Sequence, residues 1–148
     1  MDKCSKVAAL YIATLKALAL IHQHNHWTVK GVAFYGGHLL FERIYNSAQK
    51  DLDLAAEKFM GVFRDQSLNY DLQADLLHKV LVKYKNLEGS PAQMSLEAEK
   101  DFLKFSKAAY NCFEEEGKLT LGLDDMIMAI ASNREEAVYL LQQSLAGD

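Results

Sequence analysis

Five side chains of this chain have the types and spacing to hold a hard metal ion: His26, His38, Glu42, Asp53 and Glu57. All lie in one stretch, His22 to Glu57, which carries four of the five histidines and the single tryptophan, Trp27. Two imidazoles and three carboxylates offer borderline nitrogen with several hard oxygens. That donor set suits iron or manganese, and zinc less specifically.

Four of the five belong to one expected helix. At about 100° per residue, the steps from His38 to Glu42, Asp53 and Glu57 turn through roughly 40°, 60° and 100°. The four therefore share one quarter of the helix surface. Along the axis, however, His38 and Asp53 are separated by roughly 22 Å, at about 1.5 Å per residue. One chain cannot bring both ends of that row to one ion.

Two chains can. If two copies of the helix pair antiparallel across a two-fold axis, His38 and Glu42 of one face Asp53 and Glu57 of the other. An isologous contact repeats, so one interface yields two equivalent sites per dimer. The axial midpoint of the row falls between Ser47 and Ala48, small residues expected to permit close approach. His26, at the end of the preceding helix, joins His38 after a short turn.

Plainer readings compete with this one. A charged row on a helix is ordinarily a solvated face. His22 and His26 stand one turn apart and form an alternative metal pair, although His22 is expected near the helix surface. Asp75 and His78 share another face. His24 points away from both sets. Trp27 reads as core, and Cys4 and Cys112 as packing thiols without zinc-like spacing.

The elements that must position these groups are helical. One proline and eight glycines in 148 residues leave few breaks. A first helix is expected from about Ser5, as its N-cap, to about Val29, stopping at Lys30-Gly31. Its apolar residues run nearly all the way round, which implies burial on most sides and one side against another subunit. A second helix runs from Tyr35 or Gly36 to about Phe63, and a polar break follows. A short helix covers about Tyr70 to Asn86. Ser90-Pro91-Ala92-Gln93 then reads as a capping box with proline in the first turn, opening a third long helix that stops at Gly117. Thr120 to about Leu145 makes the fourth, with Gly147 beyond it. The reading is all-α: a single domain over residues 1–148, built as a four-helix bundle with a short extra helix between the second and third long helices.

Composition narrows the function. A net charge of −4 and pI near 5.7 do not suggest a protein held to nucleic acid by a basic face. The apolar run Val7 to Ile21 is interrupted by Lys16 and is too short to span a bilayer. Two unpatterned cysteines fit a reducing compartment. A cytoplasmic protein with no membrane association is expected.

The motif residues resemble the Dps family of mini-ferritins. That family's pattern is His-Trp…Gly…His-x-x-x-Asp followed eleven residues later by Asp-x-x-x-Glu. Here His26-Trp27, Gly31, His38, Glu42, Asp53 and Glu57 match it without gaps, with Glu42 in place of the family's first Asp. Lys30 and Phe34 also fit. The segment after Glu57 reads FMGVFRDQS instead of the family's Gly-Gly-x-Pro turn.

The resemblance implies a ferritin-like bundle that assembles as a homo-oligomer, at least a two-fold dimer and commonly a dodecameric shell. It implies iron, Fe2+ and Fe3+, at the two-fold interface, oxidised with hydrogen peroxide and stored inside. The activity would be that of a ferroxidase protecting against oxidative damage. His26, His38 and Glu42 would hold the metal with the partner's Asp53 and Glu57, Trp27 would quench radicals, and acidic residues around Glu114–Glu116, Asp124 and Asp125 would line a pore. Family members that bind DNA use a lysine-rich tail; MDKCSK and LAGD supply none, so DNA binding is not expected. The alternative is a non-catalytic ferritin-like protein that has kept the fold. A carboxylate-bridged enzyme acting on an organic substrate is disfavoured, because no Glu-x-x-His pair is present.

Overall fold

The computed structural model describes residues 1–146, with every side chain among them except that of Asp65. Its elements are α1 (Lys3–Thr28), α2 (Phe34–Phe63), a single 3-10 turn (Arg64–Leu68), α3 (Tyr70–Val82), α4 (Pro91–Glu115) and α5 (Leu121–Leu145). Four long helices and one short one stand as the apolar periodicity predicts. Gly147, expected as the stop of the last helix, lies outside the described residues.

Helix ends follow local chemistry. The Ser90 hydroxyl accepts from Gln93 N while Gln93 Oε1 accepts from Ser90 N, so the capping box forms as read. The first helix starts earlier than expected. Asp2, not Ser5, is its N-cap, with the carboxylate accepting from Ser5 N at 2.8 Å. A carboxylate beside the helix N-terminus also meets its partial positive charge. Ser5 is instead buried in the first turn and donates to Gln66 Oε1 at 3.1 Å. The short helix ends at Val82, ahead of the expected Asn86; the chain continues as turns in which Tyr84 N bonds Leu81 O.

The helices form a ring. α1 packs on α2 and α4, and α5 packs on α4 and α2. Short connections make α1–α2 and α4–α5 antiparallel hairpins. Contacts between the hairpins are also antiparallel: Lys3 at the start of α1 meets Glu116 just beyond α4, while His22 near the end of α1 meets Ser95 and Glu99 early in α4. α2 and α4 are then parallel, so the chain between them must travel the length of the bundle. α3 makes that journey on the outside of α1, pinned where Gln73 Nε2 donates to Ala9 O and Ser67 O, both at 2.9 Å. One long crossover of this kind marks the ferritin-like bundles.

α1 is buried on most sides, from Cys4 through Ala8, Tyr11, Leu15 and Leu18 to Asn25. It is long and apolar enough to cross a membrane, but 67% of its most apolar 18-residue window lies inside the bundle. At the core, Tyr11 sits edge-on to Phe59 and Phe102, at 5.3 and 5.2 Å between centroids. Phe59, Phe63 and Phe113 extend the aromatic cluster.

The centre of the bundle is not wholly apolar. His22, Glu99 and Arg134 are fully buried and Asp51 is 3% exposed. Arg134 Nη1 lies 3.2 Å from Glu99 Oε1, its Nε 3.5 Å from Asp51 Oδ2, and its Nη2 donates to Ser47 Oγ at 2.7 Å. Asn133 Nδ2 donates to Asp51 Oδ1 at 2.9 Å. Burial pushes the Asp51 carboxyl above its ordinary range, against the pull of Asn133 and Arg134. The hydrogen bonds set a direction. Asn25 donates to Ser95 Oγ at 2.7 Å, and because the Glu99 carboxylate only accepts from Nε2, neutral His22 takes the Ser95 hydroxyl hydrogen at Nδ1, 2.9 Å away. His22 then presents Nε2–H to Glu99 Oε1 at 3.2 Å. His22 is therefore a core residue, contrary to the surface position expected for it. Its two nitrogens are both engaged, which removes it from any pair with His26.

Candidate metal centre

The turn between α1 and α2 decides how His26 meets His38. Val29 N closes the first helix on Asn25 O, and Phe34 N bonds Gly31 O, both at 3.0 Å. Gly31 has φ +88°, a conformation that L side chains rarely adopt. At Gly37, one turn into α2, an added Cβ would stand 3.0 Å from Val29 Cγ2. The glycines thus permit a sharp reversal and a close start to the second helix. Gly31→Ala is expected to cost about 1–2 kcal/mol through left-handed backbone strain, read as a lower urea midpoint at unchanged slope.

Across this turn the imidazoles of His26 and His38 stack at 3.8 Å with 17° between planes. Each ring also bonds the other residue's backbone: Nδ1 of His26 to His38 O at 2.7 Å, and Nδ1 of His38 to His26 O at 2.9 Å. A carbonyl only accepts, so both Nδ1 atoms carry the proton. In the neutral rings the lone pair is then on Nε2, the nitrogen left for a ligand. A hydrogen bond from the far nitrogen is the arrangement that fixes tautomer and orientation in metal-binding histidines. Phe34 stacks on the other face of His38 at 5.0 Å, and Tyr45 meets His26 edge-on at 5.4 Å.

The carboxylates lie along α2. Glu42, one turn beyond His38, is half-buried, whereas Asp53 and Glu57 are exposed farther along the same helix. The chain brings His26 and His38 together and leaves Asp53 and Glu57 at the far end of the row. Among the described residues, no three His, Cys, Asp or Glu side chains of one chain gather as a metal cage.

Several expectations need correction here. Trp27 is 66% exposed rather than core. It stands in the last turn of α1, at the mouth of an open groove lined with Leu20, Leu81, Tyr84 and Met94. Ser47 and Ala48 do not permit a close approach between copies. They point inward, Ala48 fully buried and Ser47 bonded to Arg134. At that height the ligand row presents Asn46 and Gln49, both exposed. Asp75 pairs with Lys79 at 3.2 Å, an ordinary exposed i,i+4 pair. Sequence reasoning gave Phe34 no geometric role and missed Tyr45, which brackets the histidines. Tyr45 follows His38 by seven residues, two turns on the same face, which was the available signal.

Exposed apolar groups stand at the turn between α1 and α2 and at separate points along α2. They include Trp27, Val32, Phe34 and Tyr35 at the turn, then Leu39, Leu54 and Met60.

Comparison with protein-family models finds no match, and neither does comparison with curated protein sequences. Solved structures do match over nearly the whole chain. Dps from Thermosynechococcus elongatus superposes with a TM-score of 0.77 at 18% identity, covering 99% of this chain and 92% of that one. DpsC from Streptomyces coelicolor gives 0.76 at 19% identity, over 98% and 84%. A Dps protein from Vibrio cholerae O1, described as a member of a broad superfamily of ferritin-like diiron-carboxylate proteins, gives 0.70 at 18%, over 97% and 89%. The bundle, its crossover helix and its end-to-end match to these three structures give this chain the ferritin-like fold of the Dps proteins.

Proposed function

We propose that the chain is a mini-ferritin that binds Fe(II) between subunits, oxidises it and retains the ferric product. The observation that carries this reading is the reciprocally bonded pair of His26 and His38, whose Nε2 atoms are the nitrogens left for a ligand. A pair bound to its own backbone in this way is rigid, and its unused nitrogens lack only oxygen donors.

Glu42 supplies one carboxylate from the same chain. Asp53 and Glu57 supply the others from a partner whose α2 runs antiparallel across a two-fold axis. The exposed apolar groups at the turn and at both ends of α2, with Asn46 and Gln49 between them, support a covered face. The assembly is a homo-oligomer, two-fold dimers closing into a dodecameric shell. Iron is substrate and cargo, and the protein works in the cytoplasm without nucleic acid. The carboxylates neutralise the charge of the ion and favour the ferric state, because the higher charge draws harder on hard donors. Two Fe(II) ions give one electron each to hydrogen peroxide, which takes two protons and leaves as two waters. That removes both reagents of hydroxyl-radical chemistry. Trp27, next to His26 in the sequence and exposed, would intercept a stray oxidant.

The test is anaerobic Fe(II) addition to purified protein followed by peroxide, with ferric absorbance and size exclusion read together. Fast oxidation with iron retained in a particle of shell size is expected. Peroxide consumption no faster than in buffer, from a dimer-sized species, would overturn the reading in favour of a bundle without ferroxidase activity.

A further inference from the structure

A second reactive feature lies at the end of the bundle where α1 begins. Cys4, in the first turn of α1, and Cys112, in the last turn of α4, belong to one packed cluster. The two helices meet there: Lys3 Nζ reaches Glu116 Oε1 at 3.8 Å, and Cys112 packs against the same cluster that buries the Cys4 thiol. Cys4 is 3% exposed, while Cys112 is half-buried. Both are free thiols. Nothing in the metal centre uses them.

We propose that Cys4 and Cys112 form a peroxide-reactive dithiol that closes to an intrachain disulfide joining α1 to α4. Access divides the roles. Burial pushes the Cys4 thiol up to about 11, with Cys112 beside it adding to the effect. Cys4 therefore stays protonated at neutral pH, and a thiol is a poor nucleophile beside a thiolate. Cys112, the more open sulfur, is the one a hydroperoxide reaches. Its thiolate attacks one peroxide oxygen, the O–O bond breaks, and the sulfur becomes a sulfenic acid as the other oxygen leaves as water. The Cys4 thiol, too protonated to meet free peroxide, attacks the neighbouring Cys112 sulfur as its proton is drawn off by the sulfenic hydroxyl. The S–O bond breaks, and the departing hydroxide takes the Cys4 proton and leaves as a second water. Two thiols lose two electrons and two protons; one peroxide becomes two waters.

Two consequences distinguish this from incidental packing. The neighbouring thiol stops Cys112 at the disulfide, before irreversible oxidation. The bridge also closes a loop of most of the chain, so the oxidised protein should melt at a higher temperature. The proposal does not rest on the iron chemistry, and the test uses iron-free, fully assembled protein to keep the two apart.

The experiment is hydrogen peroxide treatment, quenching with an alkylating agent, and intact-mass and peptide analysis without reductant. The expected result is a chain lighter by two hydrogens, with no alkylation at either cysteine. A linked peptide pair containing Cys4 and Cys112 should appear, be lost on dithiothreitol treatment, and accompany a raised melting temperature. In Cys4→Ser, Cys112 should instead gain two or three oxygens. In Cys112→Ser, Cys4 should stay reduced. Both thiols still alkylated in the treated wild type, oxygen added to Cys112 despite Cys4, or a bridge between chains would each overturn it.

Discussion

His38→Ala should lower the rate of Fe(II) oxidation by on the order of 100-fold or more while leaving the helical content unchanged. Losing even an outer partner of a ligand commonly costs 10- to 100-fold in metal affinity or activity, and His38 stands closer than that. Its ring would supply one nitrogen to the ion. It also holds His26, by stacking at 3.8 Å and by accepting His26 Nδ1–H at its carbonyl. The carbonyl survives the substitution but the stack does not, so both nitrogens lose definition. Asp53→Ala should be as damaging to oxidation, although Asp53 is exposed and far along α2 from the histidines. Stopped-flow ferric absorbance measures both variants. Wild-type rates in either would remove that residue from the centre.

Arg134→Ala should cost about 3–5 kcal/mol of stability, because breaking one side of a buried ion pair strands the other charge. Glu99 and Asp51 would be the stranded groups, each held near the guanidinium inside the bundle. Glu99 would keep the His22 contact and Asp51 the Asn133 hydrogen bond, neither of which carries a fixed positive charge. Adding Glu99→Gln and Asp51→Asn to Arg134→Met should recover much of the loss, since neighbouring substitutions couple rather than add. Urea denaturation at fixed protein concentration reads the difference. An Arg134→Ala protein within about 1 kcal/mol of wild type would show that water, not the cation, satisfies those carboxylates.

The fold was legible because most of the helices are long, their apolar positions recur at helical steps, and their ends are bounded by visible capping chemistry. Ser90, Pro91 and Gln93 announce α4 without any tertiary information. Asp2 was missed as the first cap because Ser5 offers the same chemistry three residues on, and only the burial of Ser5 against Gln66 separates them. The polar core was overlooked although its signal was present. Arg134 falls on the apolar stripe of α5, in register with Leu123, Ile127, Ile130, Ala137 and Leu141. Asp51 likewise lies in step with Phe41, Ile44, Ala48, Ala55 and Phe59. Charges on a core register are partners for one another, but periodicity on one helix does not say which helix supplies the partner. Trp27 was misplaced for a related reason: its apolarity says that it should be covered, not that the cover belongs to the same chain. The pairing of His26 with His38 could be read from a short turn between two helices. The backbone hydrogen bonds that leave each Nε2 for a ligand could not, since they depend on the approach that Gly31 and Gly37 allow.

Equal amounts of His38→Ala and Asp53→Ala chains, unfolded together and reassembled, decide whether a centre is built from two subunits. Each variant alone should be nearly inactive. In a mixed dimer, one interface site carries both defects and the other carries neither. With random pairing, about a quarter of all sites are then intact, and the mixture should recover that share of the wild-type oxidation rate. A mixture no more active than its two parents would contradict a centre shared between His26, His38 and Glu42 of one chain and Asp53 and Glu57 of the next.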